Sequence, residues 1–138
     1  MSGMGGRPVK RTCLALAFAA LVSQVPAYGH HSFGAHYFEE QSITIEGTLV
    51  EFDYRNPHAW VYVQAPDPGG EMRKYGAEWS NPNRLGQQGI TKYTLKAGDH
   101  LIVSGSPGRN ASDYKLHLKR IERPSDGWKW AGMRGEKR

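Results

Sequence analysis

Cysteine occurs once in this chain, at Cys13. It stands ahead of an apolar run that reads as removable, so the remaining domain has no disulfide and no thiolate metal ligand. The run itself, Cys13 to Val22, falls short of the ~20 residues that a spanning helix needs. Acidic residues are missing from the first 29 positions, where Arg7, Lys10 and Arg11 stand. A Gly-x-Ser-x-Gly elbow, a His-Glu-x-x-His pair and a phosphate loop are all absent. Nothing in the sequence therefore asks for an enzyme, and a non-enzymatic protein is expected.

A basic start, an apolar run and small residues at Ala27 and Gly29 make the three-part layout of a secretory signal peptide over residues 1–29. Cys13 begins the run instead of ending it, which argues against a lipid anchor. Removing the segment leaves one domain's length, with 15 basic against 13 acidic residues. The expected product is a soluble periplasmic protein, not inserted in the membrane after processing. Nucleic acid is not an expected partner, because the only basic cluster is Arg134, Lys137 and Arg138 at the C-terminal end.

Apolar and polar residues alternate from Ser42 to Phe52, with a bend or bulge expected at Gly47. Asn56-Pro57 is turn chemistry, Ala59 to Gln64 reads as a second strand, and Pro66 to Gly70 turns the chain into a third, Met72 to Trp79. Asn81 and Pro82 suit the cap and first position of a short helix that Gly86 and Gly89 stop. His100 to Ser104 and Tyr114 to Glu122 read as strands four and five. The predicted class is all-β with one short helix: a small five-stranded barrel resembling the oligonucleotide/oligosaccharide-binding (OB) fold over 42–124. A histidine-rich N-terminal arm, 30–41, precedes it, and a tryptophan-containing tail, 125–138, follows. Phe33, Tyr37 and Phe38 are expected to anchor the arm. Trp60, Tyr62, Tyr75 and Trp79 invite a stacking-platform reading; Trp60 and Tyr62 share one strand face, and the platform exists if that face is outward. A small disulfide-free barrel needs its large side chains inside, so they are assigned to the core.

His30, His31, His36 and His58 crowd the start of the processed chain. Imidazole is a common ligand of copper, zinc and nickel, and cleavage after Gly29 would give His30 a free amine beside its ring. An amine and ring pair with a third nitrogen favours Cu(II), so the expected site is a copper centre drawn from those four histidines. His58 would lie on the loop between strands one and two, where OB barrels commonly touch ligands. Glu78 and Asp53 are placed to assist a metal or a proton transfer, whereas His100 and His117 are assigned structural roles. The competing expectation is a metal-free OB-type interaction domain binding a protein or envelope glycan, its polar arm simply solvated.

His30-His31-Ser32-Phe33, Gly47-Thr48-Leu49, Asn56-Pro57-His58, Trp79 with Asn81-Pro82, and Gly98-Asp99 before Val103-Ser104-Gly105 together resemble a bacterial family of small exported proteins known only as a domain of unknown function. The resemblance runs from about His30 to beyond Gly108. It implies export and one small β-barrel-like domain, and brings no activity, substrate or cofactor. A small residue, often Ala, precedes the first His in that family, a place filled here by Gly29.

Overall fold

The structure is a computed structural model that describes residues 33–132. The expected signal segment, His30, His31 and the basic cluster at the C-terminal end lie outside the described residues. The strands are β1 (Ile43–Asp53), β2 (Trp60–Pro66), β3 (Met72–Glu78), β4 (His100–Pro107), β5 (Lys115–Arg123) and β6 (Trp128–Ala131), with helix α1 (Pro82–Gln87) between β3 and β4. β1 bends far enough to pair antiparallel with β4 through Ile43–Thr48 and with β2 through Thr48–Asp53. β2–β3 and β4–β5 are also antiparallel, and β3 meets β5 in parallel at Gly76–Lys115, Ala77–Leu116 and Glu78–His117. That contact closes five strands into the expected OB-like barrel.

Alternation puts Val61, Val63 and Ala65 of β2, Leu101 and Val103 of β4, and Leu116, Leu118 and Ile121 of β5 inside. Leu85 of α1 joins this core. The helix begins as its residues dictate: the Asn81 side-chain oxygen accepts from the Arg84 N–H at 2.9 Å, and Pro82 stands where no N–H is needed. Among the described residues no helix is long and apolar enough to cross a membrane.

Three details differ from expectation. The register slip in β1 falls between Leu49 and Glu51, not at Gly47; Gly47 is required for close approach, since a Cβ there would lie 2.0 Å from the Gln64 carbonyl oxygen. The tail contains a sixth strand. β6 pairs with Arg120–Arg123, on the same edge of β5 that β3 occupies through Lys115–His117, and Trp130 meets the buried Trp79 edge-to-face with centroids 4.9 Å apart. Finally, Trp60 and Tyr62 are not core. They alternate with the buried residues of β2 and belong neither to the core cluster nor to the side chains packed against it. Tyr75 and Trp79 do enter the core, beside Val, Leu, Ile and Ala, whereas the Trp60 and Tyr62 rings stay on the outer wall.

Candidate functional site

The β2–β3 hairpin sets the first part of the site. Asp67 accepts from the N–H groups of Gly69 and Glu71 at 2.9 and 3.0 Å, fixing a tight turn. The resulting register puts Trp60 opposite Glu78. His58, two residues before β2, reaches the same carboxylate: its Nδ1 lies 2.6 Å from Glu78 Oε1. On the other side of Glu78 the parallel seam brings His117 of β5. A row Asp53–Trp60–Glu78–His117 thus crosses the outer wall.

The arm crosses the same wall. A single 3-10 turn at Phe33–Ala35 leads to Tyr37, which pairs with Gly108, while the Phe38 N–H donates to the Pro107 carbonyl at 2.9 Å. Tyr37 is only 1% exposed although it stands outside the barrel core, and its hydroxyl donates to Glu78 Oε2. Phe33 stacks on His117 at 3.7 Å with 6° between the planes, and its ring lies 5.4 Å from His58. Glu39 receives His117 Nδ1 at 2.8 Å and Lys119 Nζ at 2.6 Å. The Arg109 guanidinium sits 4.6 Å over Phe38. Phe33, Tyr37 and Phe38 therefore do anchor the arm, helped by two carboxylates, Glu39 and Glu78.

Burial and partners set the protonation behaviour. Burial pushes the Tyr37 hydroxyl far above its ordinary range, reinforced by the Glu78 carboxylate it faces; Tyr37 is a fixed donor. Burial holds the His117 imidazole below its ordinary 6.5, outweighing the bond to Glu39. For Glu39 burial works the other way, but the bonds from Lys119 and His117 overcome it and hold the carboxyl below its usual value. A carboxylate only accepts hydrogen bonds, so the His58 nitrogen facing Glu78, Nδ1, is the donor, and Nε2 is the nitrogen turned away from that bond.

Of the four expected ligands, His30 and His31 lie outside the described residues. His58 is held by Glu78 with its side chain about a third exposed, at 36%. His36 is exposed in the turn before Tyr37, its carbonyl accepting from the Arg109 N–H at 3.0 Å. Among the described residues no three His, Cys, Asp or Glu side chains group as metal ligands. The sequence reading passed over His117 and Glu39 as members of this constellation. The hairpin turn was a signal for the His58–Glu78 pair; no local signal announced the seam.

A model described as a family of unknown function matches residues 19–117. No curated protein and no solved structure matches the chain.

Proposed function

The chain belongs to that family of unknown function, DUF6152, and because membership brings no activity with it, we propose from the site itself an exported, periplasmic, non-enzymatic copper-binding module. His58 supplies Nε2, and His30 supplies its ring and, once the signal is removed, its amine. His31 and His36 are the candidates for the remaining nitrogen. The observation that carries this reading is the His58–Glu78 bond of 2.6 Å. A carboxylate on the far nitrogen is the usual way a metal-binding imidazole is oriented and made more basic, and losing such a partner typically costs ~10–100-fold in metal affinity. Tyr37 on the other Glu78 oxygen keeps that carboxylate from turning away.

Spacing along the sequence supports the same reading: His30 and His31 stand three and two residues before Phe33, whose ring lies 5.4 Å from that of His58. The test is Cu(II) titration of the protein beginning at His30, by calorimetry and electron paramagnetic resonance, beside a version carrying one additional N-terminal residue. Tight one-to-one binding with nitrogen couplings, lost in the extended version and weakened by His58→Ala, is the expected result. Equal, weak binding in all three proteins would remove the copper centre.

A further inference from the structure

The outer wall of β2–β3 carries a second feature that needs none of the histidines. Trp60 and Tyr62 present ring planes parallel within 12°, with centroids 6.1 Å apart. Opposite Tyr62 stands Gly76, where a Cβ would fall 3.2 Å from Tyr62 Cε1 and 3.3 Å from Trp60 Cε3. Both rings thus come down over bare backbone at the one position of β3 that has no side chain to lift them. The half-exposed Lys74 places its ammonium over the Tyr62 ring, 4.5 Å from the centroid, so a ligand stacking on Tyr62 displaces that side chain, whereas no cation of this kind lies over Trp60 among the described residues.

The surrounding charges select the ligand. Glu51 is opposite Tyr62, Asp53 opposite Trp60 on one side and Glu78 on the other. Three nearby cations face carboxylates, Arg55 with Asp53 at 2.8 Å, Lys74 with Glu51 at 3.8 Å and Lys115, across from Gly76, with Asp113 at 3.4 Å. A phosphate chain needs unpaired Lys and Arg along its track, and this wall gives it three carboxylates. An uncharged polyol meets no such repulsion. Its hydroxyls pair with carboxylates, and the apolar face of a pyranose ring lies on an aromatic plane. We propose that Trp60 and Tyr62 form a binding platform for an uncharged glycan, with Gly76 as its floor and Glu51 and Asp53 as the hydroxyl-binding edge. The proposal stands whether or not the histidines bind copper.

The test titrates the whole processed protein with two uncharged probes, chitotetraose and maltohexaose, and with an oligothymidylate, following indole N–H and backbone amide signals by NMR, the amides of β2 and β3 being the readout in the Trp60 variants. The Trp60 signal, assigned with Trp60→Phe, should move saturably with at least one sugar at low-millimolar concentration. Trp60→Ala should weaken binding roughly 5- to 150-fold, the range that 1–3 kcal/mol of ring stacking gives, while Trp60→Phe keeps most of it. Gly76→Ala, which removes no ring, should weaken it also. Melting curves check that each variant is folded, with Gly76→Ala and Trp60→Leu, both expected to weaken binding, carrying the test if Trp60→Ala is not. No saturable shift with either sugar would overturn the proposal. So would equal sugar shifts in folded Trp60→Ala, or tighter binding of the oligothymidylate than of the sugars.

Discussion

Replacing Tyr37 with Phe deletes one hydroxyl from the contact that holds the arm to the barrel. The ring stays, so no cavity opens and the change reads the bond alone. Tyr37 is 1% exposed and its hydroxyl meets a carboxylate whose own side chain is 16% exposed. Hydrogen bonds to charged partners contribute about 1.5–3 kcal/mol. Water can reach the residual open part of Glu78, so the lower part of that range applies, about 1.5–2 kcal/mol. For a domain of roughly one hundred residues this is a fall in Tm of about 6–8 °C. Thermal unfolding followed by circular dichroism, with urea titration as a second measure, reads it directly. A double-mutant cycle with Glu78→Gln should give a coupling of about 1 kcal/mol or more, since the two groups touch. A Tm within about 2 °C of the parent protein, or additivity in the cycle, would refute the latch.

Acid should loosen the same arm in two steps. As pH falls below about 6.5 the unfolded His117 takes up its proton before the buried one does, so stability declines with acidification. Glu39 stabilises above its ordinary 4.5 and loses that contribution as pH falls through its lower folded value. Tm against pH should show both steps, and His117→Gln should remove the upper one; an unchanged upper step in that variant would contradict the assignment. Gly105→Ala would put a Cβ 2.1 Å from the His117 carbonyl oxygen. Two backbones would have to part, so a loss of at least about 3 kcal/mol in urea unfolding is expected, above the usual overpacking range; a loss under about 1 kcal/mol, as at ordinary surface sites, would be inconsistent with that contact. Glu78→Gln should weaken Cu(II) binding ~10–100-fold in the processed protein if His58 is a ligand, and undiminished affinity would remove Glu78 from the site.

The elements legible in the sequence were those set by neighbours along the chain. Asn81-Pro82 wrote its own helix start, and the turn at Asp67–Gly70 set a hairpin register from which Trp60 opposite Glu78 follows. Five strands and a helix in OB-like order followed from the same local signals. The outward face of Trp60 and Tyr62 was not legible, because alternation says that two residues share a face and is silent on which face the core takes. A general rule about burying large rings held for Tyr75 and Trp79 and gave the wrong side for Trp60 and Tyr62, where the competing set Val61, Val63 and Ala65 fitted the interior instead. His117 beside Glu78 was beyond local reading altogether, since a parallel contact joins residues 39 positions apart and leaves no turn between them.

The barrel's closing seam has three rungs, whereas β2–β3 has seven and β1–β4 six. The arm bonds both banks of that seam, Tyr37 to β3 through Glu78, Glu39 to β5 through His117 and Lys119. A short seam opens locally at lower free energy than the long antiparallel pairings around it. Undocking the arm should therefore be felt as faster hydrogen exchange at the backbone amides of the seam, which the arm holds only through the side chains of Glu78, His117 and Lys119. The arm around Tyr37 and Glu39 acts as a clasp on the barrel's shortest join, and the exchange rates at that join become a gauge of whether the clasp is shut.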